Sequence, residues 1–356
     1  MNSPLEPLGF GPFFQEQHAH MREPGLVPAR VASEGRGVYR LLGCRASRGE
    51  LKGRLRAELA PGERPAVGDW VMVRDGDDLA LIHAVLERRT ALVRRAAGTE
   101  TEPQVVAANV DLFFIVTAAT RDFNPRRIER YVVAVLDSGA EAVIVLNKID
   151  VGDAVDSMVS EASLIAPGVP VIRTSAVTAE GMQELRAYLV PGRTVALVGS
   201  SGVGKSSIVN RLLGDAAQEI RATRHDEKGR HTTTRRDLIE IPGGGLLIDT
   251  PGMREFGLLD DAGGVETLFA DIAALAAQCR FADCSHQGEP GCAVRAAVDS
   301  GELDPDRLQS YRKLQREAAA AARRKDPVLA HNTKRRWKTI HKAIREHYRT
   351  DPKRKR

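Results

Sequence analysis

Gly199-Ser200-Ser201-Gly202-Val203-Gly204-Lys205-Ser206 stands between the apolar run TVALV and the stretch SSIVNRLLG. The spacing is G-x-x-x-x-G-K-[ST], and a strand before it with a helix after it is the setting in which that spacing cradles phosphate. Its glycines let backbone N–H groups turn inward around a triphosphate, and the helix N-terminus adds the positive end of its dipole. Lys205 would reach the β- and γ-phosphates, and the Ser206 hydroxyl would ligate Mg²⁺. A nucleoside triphosphate is the expected ligand, and its base must be read elsewhere.

Asn147-Lys148-Ile149-Asp150 closes the run AVIVL and can read that base. A carboxylate such as Asp150 accepts two hydrogen bonds from guanine N1–H and N2–H₂. Adenine, with an acceptor at N1 and no N2 amine, would leave the buried charge unpaired, which is the costly kind of mismatch. Thr174-Ser175-Ala176, at the end of the next strand-like run, resembles the accompanying guanine loop of GTPases. Asp249-Thr250-Pro251-Gly252 ends LLI, where a GTPase holds Mg²⁺ through water and senses the γ-phosphate through a glycine N–H. Upstream, His231-Thr232-Thr233-Thr234 lies in the Gly- and charge-rich stretch ATRHDEKGRHTTTRRD, read as a mobile switch loop whose threonine closes on Mg²⁺. Thr234, directly before the strand entry Arg-Arg-Asp, is the favoured ligand.

Ordinary GTPases run P-loop, switch I, Asp-x-x-Gly, Asn-Lys-x-Asp, then Ser-Ala, whereas here the last two come first. Cyclic order is kept, so the same sheet can assemble with its termini cut elsewhere. A second kind of site follows these motifs. Cys279-x₄-Cys284-x-His286-x₅-Cys292 offers three thiolates and one imidazole, the tetrahedral set preferred by structural Zn²⁺. The loop RFADCSHQGEPGC is too polar and glycine-rich to bury three free thiols as core, and a fully ligated site leaves no open position for catalysis.

The elements that must hold these loops change along the chain. Residues 1–35 show little periodicity and read as a flexible or loosely docked arm. Over 36–100, the short runs GVYRLL, LKGRLRAEL, GDWVMVRD and DLALIHAVLE between turn residues indicate a small β-barrel, with a five-stranded, RNA-binding OB-fold the best fit. Over 101–258, VDLFFIVTA, AVIVLNKID, VPVIRTSA, TVALVGSSG and LLIDTPG alternate with helical stretches, indicating a parallel sheet covered on both faces. Ligands on such sheets sit beyond the carboxyl ends of the strands, where every motif above falls. Residues 259–306 form the expected helical zinc-binding domain and 307–356 a basic helical tail.

Charge separates the tail from the body. Residues 307–356 carry 18 Lys/Arg against 4 Asp/Glu, while the whole chain of 356 residues is only +5. Such a segment, with aromatic residues among its charges, fits a polyanionic partner, bound by counterion release. No window of 18 apolar residues is present, the first thirty residues lack the pattern of a signal peptide, and the cysteines do not form a spread-out disulfide framework. A monomeric cytoplasmic protein with no membrane contact is the expectation.

Taken in order, PAVGDWVMV, NKID, TSA, GSSGVGKSS, GRHTTT, DTPG and the CxxxxCxHxxxxxC cluster resemble the ribosome small-subunit-dependent GTPase A family (RsgA, also called YjeQ) over residues 36–300. The resemblance implies an OB-fold, a circularly permuted P-loop GTPase domain and a zinc domain. Together these bind the small ribosomal subunit and its rRNA late in assembly, with GTPase activity stimulated by the subunit. It implies nucleotide contacts through Asn147, Lys148, Ile149, Asp150, Ser175, Ala176, Gly199, Ser200, Ser201, Gly202, Val203, Gly204, Lys205, Ser206, Ser207, Thr234 and Gly252. Lys205 and Asp249 act in hydrolysis, Ser206, Thr234 and Asp249 serve Mg²⁺, and Cys279, Cys284, His286 and Cys292 hold one zinc. Met253 stands where Ras-like enzymes carry a water-orienting glutamine, so intrinsic hydrolysis should be slow. His231 matches the family's histidine, and hydrolytic help and loop shaping both stay open for it. Two other classes compete: a P-loop ATPase or kinase, which needs no Asp150, and an RNA-binding protein with a structural nucleotide site, which needs no intact Lys205, Ser206 and Asp249.

Overall fold

The structure, a computed structural model, describes residues 4–21, 23–95, 103–214, 236–249 and 263–325. These divide into two compact units, one ending with the α/β sheet and taking in Glu266–Ala270, the other holding residues from Asp271 onward.

The first unit opens with α1 (Pro12–Ala19), then the strands β1 (Val27–Gly35), β2 (Val38–Leu42) and β3 (Arg48–Leu51). Next come α2 (Gly53–Glu58), β4 (Trp70–Arg74) and β5 (Ala80–Val85). The strands close into a five-stranded barrel in the order β1-β2-β3-β5-β4, with β3 and β5 parallel and the other neighbours antiparallel. Val31, Leu41, Leu51, Val71, Val73 and Ile82 fill its interior.

Three features depart from the sequence reading of this region. The segment 1–35 is not an arm over its described residues, because Val27–Gly35 is the first barrel strand. Its middle is buried on both faces, which erases the alternation that marks a half-exposed strand. The residues before it are anchored too: Phe10 meets Trp70 edge to face at 4.8 Å, and Arg30 donates to the carbonyls of Leu8, Gly68 and Asn109. The run LKGRLRAEL is not one strand: Leu51 ends β3, Leu55 lies in α2 and Leu59 caps that helix. Finally, β6 (Ala91–Arg95) and β7 (Pro103–Ala108) pair with each other as a separate ribbon beyond the barrel.

The α/β part adds β8 (Leu112–Ala118), α3 (Pro125–Asp137), β9 (Glu141–Asn147), α4 (Val155–Ile165), β10 (Val171–Arg173), α5 (Met182–Ala187), β11 (Thr194–Val198), α6 (Lys205–Leu213), β12 (Asp237–Glu240) and β13 (Leu246–Asp249). The sheet order is β10-β9-β8-β11-β13-β12. All neighbours are parallel except β12, an antiparallel edge strand, so the expected wholly parallel sheet carries one exception. Phe114, Val143, Val145, Val195, Leu197 and Leu247 are buried with Ile208 and Leu212 of α6, the packing that sets the sheet on its helices. From β8 the chain moves outward to β9 and β10, returns to β11 beside β8, then moves outward the other way. The reversal lies between β8 and β11, which is where an open α/β sheet leaves a crevice for a ligand.

The second unit is helical. After α7 (Gly263–Leu268), which spans the division, come α8 (Ala270–Ala276), α9 (Ala293–Asp299) and α10 (Pro305–Lys325). The expected tail boundary at 307 falls inside α10, whose Leu308, Tyr311, Leu314 and Ala318 are buried. Alternating charge hid an apolar stripe there. Residues 326–356 lie outside the described residues.

Candidate functional site

The sheet brings the motif loops to one edge. Asn147 ends β9, Thr174–Ala176 follow β10, Gly199–Gly204 join β11 to α6, and Asp249 ends β13. Because β8, β9, β10, β11 and β13 run parallel, these are all carboxyl ends.

Asn147 joins three of the loops. Its side chain is buried, and Nδ2 donates to the Val203 carbonyl at 2.9 Å, in the middle of the P-loop. Its Oδ1 accepts from Thr174 Oγ1 at 3.2 Å and from the Ala176 N–H at 3.3 Å. Both ends of the amide are thus spent on fixing the loops after β9, β10 and β11 relative to one another, and an apolar residue there would orphan several polar groups. Asp150 is oriented in turn by Ser175, whose Oγ donates to Asp150 Oδ1 at 2.6 Å. The same Oγ accepts from the N–H groups of Val177 and Thr178 at 3.2 and 3.1 Å. One carboxylate oxygen is held, and the group can still accept from a ligand through the other. Lys148 adopts φ +63, a left-handed conformation that a non-glycine residue holds only where its surroundings over-determine it.

The P-loop is shaped by close approach. A Cβ on Gly204, at φ +100, would lie 2.2 Å from Asn147 Nδ2; one on Gly199, at φ +143, would lie 2.1 Å from the Val116 carbonyl. Glycine is the residue that fits both positions. Lys205 Nζ donates to the carbonyls of Gly199 and Ser200 at 2.7 and 2.6 Å. Burial lowers its pKa, while the charge of Asp249 opposes that shift, so the lysine and the β13 aspartate sense each other across the site. Ser206 and Ser207 follow on the first turn of α6 and are exposed. An exposed hydroxyl there and a carboxylate at the end of β13 are suitable oxygen donors for Mg²⁺.

Sequence reasoning reads the stretch RRIERYVVAVLDSG of α3 as a helix but gives it no part in the site. Arg127, on its first turn, donates to Asp122 Oδ1 and Oδ2 at 3.2 Å each and to Ser200 Oγ in the P-loop. Asn124 caps the helix by accepting the Arg127 N–H at 3.0 Å, which sets the arginine's place. The Asn-Pro pair ahead of a helical stretch is a legible start signal, but nothing in it points to the P-loop. Of the remaining predicted residues, His231, Thr234 and Gly252 lie outside the described residues, as does Met253.

In the second unit the ligand atoms of Cys279, Cys284, His286 and Cys292 all lie within 4.8 Å of one another. His286 Nδ1 is 3.6 Å from Cys279 Sγ and 3.5 Å from Cys292 Sγ, and the two sulfurs are 3.9 Å apart. A tetrahedral zinc with ordinary bond lengths needs S···N of roughly 3.5 Å and S···S of roughly 3.8 Å. The donor set therefore fits. His286 sits at φ +59, and Arg312 of α10 donates to its carbonyl. Glu289 gathers the N–H groups of Ser285, Gln287 and Gly288 at 2.9, 2.9 and 3.1 Å and the Ser285 hydroxyl, which holds its carboxyl well below the usual carboxylate range. Among the described residues this is the one grouping of three or more potential ligands.

A closed barrel, a sheet with P-loop and base-reading motifs in permuted order, and a Cys₃His cluster together define a circularly permuted GTPase with flanking domains. Residues 85–259 match the family described as RsgA GTPase. A small ribosomal subunit biogenesis GTPase RsgA of Opitutus terrae is 49% identical over 96% of this chain and 97% of its own length. A protein of the same name from Syntrophotalea carbinolica is 42% identical over 94% of this chain and 95% of its own. The crystal structure of YjeQ from Thermotoga maritima superposes with a TM-score of 0.62 and 28% identity, covering 82% of this chain and 98% of that one. The crystal structure of YloQ, described as a circularly permuted GTPase, shares the fold at a TM-score of 0.59 and 23% identity, covering 84% of this chain and 97% of its own. The chain belongs to the RsgA GTPase family, and it is a GTP hydrolase by that membership. No described helix is long and apolar enough to cross a membrane.

Proposed function

We propose that this protein is a GTP-driven switch in maturation of the small ribosomal subunit, binding its rRNA and hydrolysing GTP faster when docked on it. The observation that carries the nucleotide half is Asn147, which ties the guanine loop, the Ser-Ala loop and the P-loop into one assembly. A P-loop ATPase or kinase has no use for a carboxylate held as Asp150 is by Ser175. The ribosomal half rests on the relatives, which are named for small-subunit biogenesis.

In this reading, backbone N–H groups of 199–204 hold the phosphates and Lys205 turns from the loop carbonyls to the β- and γ-phosphate oxygens. Asp150 accepts from guanine N1–H and N2–H₂, with Asn147, Lys148, Ile149, Ser175 and Ala176 shaping the base pocket and Ser207 flanking the phosphates. Ser206, Thr234 and Asp249 would hold Mg²⁺, which when bound offsets the charge developing between the phosphates. Gly252 reports the γ-phosphate through its N–H. Met253 cannot orient water, so another residue or the subunit itself supplies that group, and His231 either serves there or shapes the loop. Zinc is the metal suited to the Cys₃His set, and four ligands make it structural. The barrel and the segment 326–356, with 11 Lys/Arg against 3 Asp/Glu, supply the RNA-binding charge. The protein works as a monomer in the cytoplasm.

Turnover of GTP and ATP, each with and without small subunits, tests the reading. GTP-selective turnover raised at least tenfold by subunits is expected. Equal use of ATP would overturn the base assignment, and turnover indifferent to subunits would overturn the partner.

A further inference from the structure

The barrel is fastened to one particular part of the GTPase sheet. β12 and β13 form a hairpin lying between two nucleotide motifs: the stretch holding Thr234 precedes it in sequence, and Asp249 ends it. Its outer strand, β12, is the edge of the sheet, and the outward backbone groups of an edge strand need a partner. The Ile241 N–H bonds to the Gly245 carbonyl inside the hairpin. With a strand period of two, Ile239 and Asp237 also direct their backbone groups toward β13, and Leu238 directs its carbonyl to the open edge. That carbonyl accepts a hydrogen bond of 3.0 Å from the Arg40 guanidinium, on barrel strand β2.

A second contact meets the other strand at the same level. A Cβ on Gly68, in the turn before β4, would lie 3.3 Å from Ile248 Cδ1 and 2.0 Å from the Ala108 carbonyl. The barrel backbone therefore rests against Ile248, and Ile248 is the register partner of Leu238. Both strands of the hairpin are gripped at one rung, one residue before Asp249.

We infer that Arg40 is a positioning residue that couples the barrel to the nucleotide site through the β12–β13 hairpin. Any shift of β13 that accompanies γ-phosphate binding at Asp249 must be shared by the barrel or must break this charged hydrogen bond, which would leave a buried carbonyl without its donor. By linkage the coupling is reciprocal, so a ligand on the barrel biases the nucleotide site by the same factor. The inference rests on the reading above only for the identity of that ligand, a structured RNA; the coupling itself needs no ribosome.

The test compares full-length wild type with Arg40→Met and Arg40→Lys by amide hydrogen exchange of residues 38–42 and 236–241, in GDP and in a non-hydrolysable GTP analogue. Wild type should show nucleotide-dependent protection in β2 as well as β12. Arg40→Met should lose the β2 response while GTP affinity stays within twofold, and Arg40→Lys, which keeps a donor, should retain part of it. A wild-type β2 indifferent to nucleotide, or an Arg40→Met response equal to wild type, overturns the inference. Small-subunit stimulation then separates the two claims. If wild type is stimulated, Arg40→Met should lose about tenfold of the stimulation, the equivalent of one hydrogen bond to a charged group, with basal turnover unchanged. If wild type is not stimulated, the ribosomal reading fails and the exchange result alone decides the coupling.

Discussion

The nucleotide site and the Cys₃His site are built by opposite means. The first is made mostly of backbone, with glycines at φ +100 and +143, a left-handed Lys148 and loops pinned by Asn147. Beneath it lies an extensive apolar core shared by the sheet and its helices. The second is made of side chains on a loop with little regular structure, between the short helices α8 and α9. The apolar residues buried in the same unit, among them Ile272, Val294, Leu303, Leu308 and Leu314, come from short helices, the link before α10 and one face of α10. A backbone site is paid for by the fold, whereas a side-chain site of this kind gains folding energy from the metal it binds.

Metal removal gives the largest separation. Structural zinc contributes roughly 10–16 kcal/mol in small domains, comparable with the whole stability of a typical domain of about 5–15 kcal/mol. Chelation at neutral pH, or Cys284→Ser, should unfold the second unit and leave GTP affinity within threefold of wild type. Limited proteolysis followed by nucleotide titration reads both quantities. If GTP binding collapses together with the second unit, the two sites are not independently built.

The converse break is Gly204→Ala. The added methyl would sit 2.2 Å from Asn147 Nδ2, on a residue already at φ +100. The P-loop must move away from the base-reading loop or remain strained, and GTP affinity should fall by several hundredfold or more. The second unit should keep its metal, measured by elemental analysis of the same preparation. A mild effect on GTP would mean that the phosphate loop is not as preformed as its geometry indicates.

Asp150→Asn sharpens the comparison within the backbone site. The carboxylate stays close in shape but becomes part donor, so guanine N1–H and N2–H₂ lose their acceptor. Losing a charged hydrogen bond costs about 1.5–3 kcal/mol, so GTP should weaken by roughly a hundredfold. Xanthine, with a carbonyl where guanine has its amine, welcomes the new donor. Competition among GTP, XTP and ATP should show XTP preferred, and retained GTP preference would remove Asp150 from the base pocket.

What the sequence disclosed follows the same division. Asn147-Lys148-Ile149-Asp150, Gly199–Ser206 and the Cys279–Cys292 spacing were legible because their chemistry tolerates few residue types at fixed intervals. The barrel and sheet were legible where one strand face is exposed or where a whole strand is apolar, as in β8. β1 was not, because neighbours cover both its faces and remove the alternation. Arg127 and Arg40 were not, because each acts through tertiary contact with a hydroxyl or a backbone carbonyl, and 52 Lys/Arg offer no local sign of which are so placed. The buried stripe of α10 was masked by the charges that share its turns.

The smallest expected effect concerns Ser175, and it tests whether the base loop is preformed or assembled by its ligand. Its hydroxyl both donates to Asp150 Oδ1 at 2.6 Å and accepts from two backbone N–H groups, those of Val177 and Thr178. Ser175→Ala keeps the loop's volume and leaves Asp150 charged, so specificity has no reason to change sign. It removes the group that fixes where the carboxylate points and leaves those two amides in need of other acceptors. A net loss of about 1–2 kcal/mol is typical for such a change, so GTP affinity should fall between fivefold and thirtyfold. GTP should still be preferred over XTP and ATP, in contrast with Asp150→Asn. The combined variant Ser175→Ala/Asp150→Asn completes a double-mutant cycle. If Ser175 acts by orienting Asp150, the two losses will be less than additive, because the serine has nothing left to orient. Full additivity in GTP titrations would show that the hydroxyl supports the loop by itself, and that the ligand rather than Ser175 brings the carboxylate into place.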